Sequence, residues 1–255
     1  LMPRILSAHA TELGVAALPQ ELHTTVEQTE RNLQTAAATL AVEGARVEGH
    51  TLTAEVAIAN LAGHKLPSAY PSRRVWLHVT VRDAGGATVF ESGRFQENGS
   101  IAGNDTDEDP ARFEPHYEEI READQVQIDE PVLADPAGEI TTVLLSALTY
   151  AKDNRILPRG FDKVTAEDAV AVNGKAADDG DFTGGGDRVR YVVDTGGATG
   201  PFSVEAELWY QPVGYRWAHN LADRDAPEID RFVGYYEEMA SVSGVVLARA
   251  QAVAE

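Results

Sequence analysis

The stretch that decides the fold is AIANLAGHKLPSAYPSRRVWLHVTVRD, residues 57–83. It leads out of one strand-like run and into another. The entering run, residues 51–59, reads TLTAEVAIA and puts Leu52, Ala54, Val56 and Ile58 on one face. Alternation with period two marks a half-buried strand. The leaving run, residues 74–82, sets Val75, Leu77, Val79 and Val81 opposite Arg74, Trp76, His78 and Thr80. Between them lie Gly63, His64, Lys65, Pro67, Tyr70, Pro71 and Arg73. Two prolines fix φ at two points and remove two backbone donors. The pattern predicts an ordered loop that presents His64, Arg73 and Arg74 from a rigid sheet.

Working outward, residues 45–59 read as a hairpin turning near Gly49 and His50, and residues 74–83 and 87–92 as a second hairpin around DAGGA. Strand patterns recur at 125–133 and 140–150, with DPAG between them, and at 188–193 and 202–210. Two long irregular stretches, 94–121 and 152–187, separate these pairs; loops of such length are usually functional or disordered. The second holds a short helical pattern at 166–170 and the glycines Gly184, Gly185 and Gly186. Residues 1–43 read as helical. Ile5, Leu6, Leu13 and Val15 form a first stripe; Leu22, Val26, Leu33, Ala37 and Leu40 form a second behind Pro19, with Gly44 as its stop. Residues 217–221 and 229–253 also read as helical, the latter through Phe232, Tyr235, Met239, Val242, Val246 and Ala250. About seven to nine strands at hairpin spacing predict a mainly β protein, an antiparallel β-sandwich with N-terminal and C-terminal helices. The expected division is a helical segment, 1–43, and a sandwich with its C-terminal helix, 44–255.

The 255 residues carry 41 Asp and Glu against 21 Lys and Arg, a net charge of −20. That balance repels phosphate backbones and disfavours nucleic-acid binding. Apolar residues make up 43%, enough for a substantial core. No uninterrupted apolar run approaches the ~18 residues of a membrane span. The chain begins LMPRILSAHATELG, which lacks the apolar stretch of a secretory leader and suggests a fragment or a processed product. With no cysteine, disulfides, thiolate metal sites and covalent c-type haem are excluded.

The motif GHKLPSAYPSRRVWLHVTVRDAGG, followed by VFESG, resembles the C-terminal β domain of secreted multihaem c-type cytochromes, where GHKLPTGYPSRRAWLHV is typical. The resemblance continues through GSIAGNDTDEDPARFEPHYEEI, VQIDE, YAKDNRILPRGFDK, DFTGGGDRVRY and YRWAHNL, and so spans residues 12–232. It departs at three points. CxxCH haem-attachment motifs are absent, Ala69 replaces the loop glycine, and Asp129 replaces the tyrosine after VQI. The resemblance implies an exported, periplasmic or extracellular protein. It implies a non-catalytic accessory or docking domain for electron transfer, whose partner is a multihaem cytochrome domain or chain. The helices of residues 1–43 would follow the haem-bearing region. Haem would be reached only through that partner.

Sequences for metalloprotease, nucleophile-elbow, Walker or dinucleotide sites do not occur. Of the seven histidines, His64 and His116 lie in proline-flanked loops, where an imidazole can ligate haem iron or a metal, or anchor its own loop through a carbonyl. A cofactor-binding surface would use His64, His116, Arg73 and Arg74. Asn104, Asp105, Asp107 and Asp109 set oxygens at alternate positions, a donor type suited to calcium, although Pro110 and His116 break the EF-hand pattern. Asp178, Asp179 and Asp181 form a second, weaker cluster. KDNR at 152–155 and RGFDK at 159–163 are expected to pin a crossing loop, with Arg73 or Arg74 as partner. Trp209, Tyr210, Tyr215 and Trp217 read as packing residues, or as a platform for a sugar or a haem edge. Two further readings stay open: a calcium-stabilised β-sandwich that binds carbohydrate or a surface, and a histidine-based metal enzyme.

Overall fold

A computed structural model describes residues 1–255. Two sheets face each other across one core. In the first, β1 (Ala38–Glu48), β2 (Thr51–Asn60), β10 (Gly186–Asp194) and β5 (Glu119–Ile120) lie in that order, antiparallel except that β5 runs parallel to β10. In the second, β12 (Val245–Ala254), β11 (Phe202–Gln211), β3 (Arg74–Arg82) and β4 (Thr88–Ser92) are antiparallel, and β6 (Ile128–Asp129) also pairs with β3. A small third sheet orders β8 (Ile140–Thr141), β7 (Pro131–Ala134) and β9 (Thr149–Asp153).

The alternating stripes meet as the period requires. Leu52, Ala54, Val56 and Ile58 from β2, with Val189, Tyr191 and Val193 from β10, bury against Val75, Leu77, Val79 and Val81 from β3 and Val204, Ala206 and Leu208 from β11. Removing a Val, Leu or Ile side chain from water stabilises by about 1.5–3 kcal/mol. A one-residue slip of β2 would turn its whole stripe to solvent, so register is strongly specified. The outer face of β3 is also covered. Trp76 packs with Ile101, Val126 and Ile128, stacks on Trp209 at 5.8 Å, and donates its indole N–H to Gly93 O at 2.9 Å. Gly93 has φ 78°, and a Cβ there would stand 2.2 Å from Leu77 O, so only glycine fits.

Helices α1 (Met2–Ala8) and α2 (Pro19–Ala36) precede the sandwich. Pro19 opens α2, and the Glu21 carboxylate accepts the Leu18 N–H at 2.9 Å. The two helices pack together, with Arg4 paired to Glu30 at 2.6 Å. No helix is long and apolar enough to cross a membrane.

Four expectations change. The strand expected over 140–150 survives only at its ends, as β8 at Ile140–Thr141 and the start of β9 at Thr149, with no strand between. The helical reading to residue 43 fails because the chain enters β1 at Ala38; the boundary set near Glu43 falls inside that strand, where Glu43 pairs with Glu55. The expected strand 125–133 is split, Ile128–Asp129 joining β3 and Pro131–Ala134 joining the third sheet. The C-terminal helix expected over 229–253 ends early. Helix α4 (Tyr215–His219) and α5 (Pro227–Met239) form, a 3₁₀ turn covers Ala240–Val242, and the chain finishes as β12, paired with β11. Small residues in VVLARAQAVA satisfy both periods, and the open edge of β11 selects period two.

Candidate functional site

The loop after β2 is tied to the rest of the molecule at every turn. Leu66 and Ile156 exchange backbone hydrogen bonds at 2.9 and 2.8 Å. Asn60, fully buried, donates its amide to His64 O and Ile156 O, both at 2.9 Å. Lys65 donates to Asp153 Oδ2 at 2.8 Å and to Ala171 O at 3.1 Å. Burial lowers the Lys65 pKa, with Asp153 opposing it. Arg155 clamps the same carboxylate through Nε and Nη2, each at 2.8 Å. The KDNR segment therefore pins Lys65, not Arg73 or Arg74 as expected. Arg73 brackets its own loop through Ser68 O at 3.0 Å. Ala69, where the resembling cytochrome motif has glycine, holds φ 57°.

His64 is exposed on this loop. Its Nδ1 lies 2.9 Å from Lys65 O, which makes Nδ1 the protonated nitrogen and leaves the Nε2 lone pair unused. Tyr70, also exposed, meets Trp217 edge-on at 6.2 Å.

Arg74 points the other way, into the molecule. Its guanidinium reaches Gln211 Oε1 and Asp107 Oδ1, both at 2.8 Å, and Gly99 O at 3.2 Å. Asp107 Oδ2 accepts the Ile101 N–H at 2.8 Å. Its neighbours are equally engaged. Asn104 accepts the Thr106 N–H and caps the short helix α3 (Asp105–Glu108), Asp105 pairs with Arg112, and Asp109 accepts the Ala111 N–H. The alternating carboxylates expected to form an oxygen cage diverge, because the helical turn sends them to different partners. Asp107 is a counter-charge for Arg74.

A second polar centre lies between the sheets, at one end of the sandwich. Asp129 pairs with Val75 in β6–β3, and Asp187 pairs with Ile58 in β10–β2, so both share the inward face of core residues. Both are buried, as are His116, on the irregular stretch before β5, and Asp179, just after a 3₁₀ turn. His116 Nε2 lies 2.9 Å from Asp179 Oδ2 and 4.0 Å from Asp187 Oδ2. Its Nδ1 faces the Gln127 and Asn154 amide nitrogens at 3.0 and 3.2 Å. Both amides are fixed in orientation, since Gln127 Oε1 accepts the Tyr117 N–H and Asn154 Oδ1 accepts the Glu130 N–H. They donate, so His116 Nδ1 accepts and Nε2 carries the proton given to Asp179. Burial lowers the His116 pKa, with Asp179 opposing it. Burial is the largest influence on Asp179 and would raise its pKa, but the His116 hydrogen bond together with the Asp181 and Phe182 N–H groups outweighs it, and the pKa is lowered. Burial lifts Asp129 to about 7, and burial with the Asp129 charge lifts Asp187 well above the carboxylate range.

Of the two roles expected for His116, axial ligand or loop anchor, the geometry suits the anchor: both ring nitrogens are engaged inside the fold, by side chains and not by a carbonyl. His64 is outside it, and no metal-sized grouping joins the two. Sequence reasoning missed Asp129 and Asp187 as site residues. Asp187 was detectable, since residues 187, 189, 191 and 193 share one strand face and an Asp on an apolar stripe is an anomaly.

No protein-family model matches the chain, and no curated protein matches it either. Among solved structures it is similar to a penta-heme cytochrome c552 from Thermochromatium tepidum, with 16% sequence identity and a TM-score of 0.51. The alignment covers 88% of this chain and 41% of that one. At this identity the likeness is one of fold.

Proposed function

We propose that this chain is a haem-free β domain of an exported multihaem cytochrome system, non-catalytic, which docks beside haems carried by another domain or chain and supports electron transfer. The observation that carries the reading is the fold shared, over 88% of this chain, with a penta-heme cytochrome. The GHKLPSAYPSRR motif, which resembles the β domain of such proteins, supports it independently. On this reading the tied loop presents His64 Nε2 outward as a donor toward a partner's haem, and α1 and α2 offer the docking face. Helix α2 has no fully buried residue, while Leu22 and Val26 with Met239 and Val242 line a groove of about 540 Å³ against α1 and α5. The test mixes the full chain with the multihaem cytochrome encoded with or beside it. Binding is followed by size-exclusion chromatography and the haem by its Soret spectrum and potential. A complex weakened by Val26→Asp is expected, with a spectrum or potential altered by His64→Ala if the imidazole reaches iron. Absence of any complex at low ionic strength would overturn the reading.

A further inference from the structure

We propose that the buried carboxylates at the end of the sandwich hold a hard divalent cation of the calcium class, bound by Asp129 Oδ2 and Asp187 Oδ2. Both oxygens are buried and have no hydrogen-bond partner. Asp129 is 0% and Asp187 2% exposed, so no bulk water takes the partner's place. An ionised carboxylate in that position is costly unless a cation meets it. No lysine or arginine pairs with either oxygen, and the Lys152 charge acts on Asp129 only from further off. Asp129, Asp179, Asp187 and Glu130 are buried together with Lys152, whose Nζ lies 3.6 Å from Glu130 and donates to Glu114 O. Lys163 donates to the Ala176 and Asp179 carbonyls. His116 Nε2 is committed to Asp179, at 2.9 Å.

The spacing suits one ion. Oxygens that share a cation at about 2.3–2.6 Å stand at most ~5 Å apart. Oxygens of Asp129 and Asp187 and a His116 ring nitrogen lie within 4.8 Å of one another, as do those of Asp179, Asp181 and Asp187. The donor chemistry favours a hard ion. The fixed amides of Gln127 and Asn154 place the His116 proton on Nε2, the nitrogen that faces the carboxylates, and a protonated nitrogen does not ligate. The Tyr191 hydroxyl, on the same inward face of β10, is likewise buried without a partner. A groove of about 590 Å³, lined by Asp181, Gly184, Gly185, Gly186, Asp187 and the charges of Glu43, Arg159 and Arg188, leads from solvent to Asp187. Exposed Asp181 stands at its mouth.

The competing arrangement is a single proton shared by Asp129 and Asp187. The two are separated by stripping the full chain with EDTA, removing the chelator, and titrating CaCl2, MgCl2 and ZnCl2 at neutral pH. Heat and melting temperature are recorded. Calcium is expected to bind at one ion per chain and to raise Tm by roughly 5–10 °C at a hundredfold excess over Kd. Asp187→Asn and Asp129→Asn are expected to abolish the effect, and Asp105→Asn to leave it intact. Should the buried variants not fold, Asp181→Asn on the exposed rim is expected to weaken calcium several-fold. No response in the wild type, with Asp187→Asn as stable or more so, would establish the shared proton and overturn the proposal. So would a calcium effect lost only in Asp105→Asn, an affinity unmoved by Asp181→Asn, or a preference for zinc that His116→Gln removes. None of these outcomes depends on a cytochrome partner.

Discussion

At the residue scale, adjacent arginines do different work. Arg73 braces a surface loop, whereas Arg74 is 3% exposed and spreads its fork over Asp107, Gln211 and Gly99. Removing one partner of a buried pair strands the other charge, at a cost of about 3–5 kcal/mol. Arg74→Met is expected to lose that much in urea denaturation. Arg74→Lys should lose part of it, because an ammonium cannot reproduce the fork. A loss below ~1 kcal/mol for Arg74→Met would show that Asp107 finds water or another cation. His78 offers a pH test. It lies 3.1 Å from Glu91 and 3.2 Å from Glu207. Burial alone would lower its pKa, but hydrogen bonds with the two carboxylates raise it above the ordinary 6.5. Glu207 is held down at about 2, chiefly by the hydrogen bond to His78. A histidine raised on folding stabilises fully below its unfolded pKa, and that contribution is lost as pH rises through the folded value. A depressed carboxylate stabilises above its unfolded value, 4.5 for Glu207, and loses this as pH falls toward 2. Both contributions overlap between 4.5 and 6.5. The Tm difference between wild type and His78→Gln is expected to peak there and to shrink by about pH 8. A difference constant from pH 5 to pH 8 would reduce His78 to packing.

At the scale of elements, what the sequence made legible was what local period controls. The stripes of β2, β3, β10 and β11 read correctly because a half-buried strand writes its inward face into every second residue. The irregular stretches were recognised as such, and so was the 3₁₀ turn at Asp168–Val170. The misreadings fall where two periods coexist. Leu33, Ala37 and Leu40 continue a helical stripe, yet Thr39, Val42 and Val47 suit a strand, and pairing with β2 decides for β1. Val242, Val246 and Ala250 continue another, and pairing with β11 decides for β12. The site was legible only in its surface half. Residues 61–73 announce an ordered loop through proline and charge. The buried half joins His116, Asp129 and the Asp179–Asp187 stretch from three separate segments, and its meaning depends on which two sheets face each other. Likewise, nothing local marks Asp107 as the partner of Arg74 across 33 positions, so its alternation resembles a cation loop.

At the scale of the whole molecule, the sandwich closes one core from its own strands, while the chain carries 41 acidic against 21 basic side chains, of which seven acids and two bases are buried and the rest reach the surface. Self-repulsion of such a surface disfavours the compact state. Surface pairs such as Arg188 with Glu43 and Arg249 with Glu207 oppose it, but each is worth only about 0–1 kcal/mol and is itself screened by salt. Arg74–Asp107 and Lys65–Asp153 are largely shielded from solvent, so salt leaves them nearly untouched. The balance is therefore set by acids with no cation beside them. Between about 10 mM and 500 mM NaCl the screening length falls from ~30 Å to under 10 Å, shorter than most spacings between surface charges. Melting temperature is expected to rise by a few degrees over that range, with EDTA present so that no divalent ion at Asp129 and Asp187 contributes. A flat or falling curve would mean that the surface pairs outweigh the excess, and that the negative charge is spread too thinly to strain the fold.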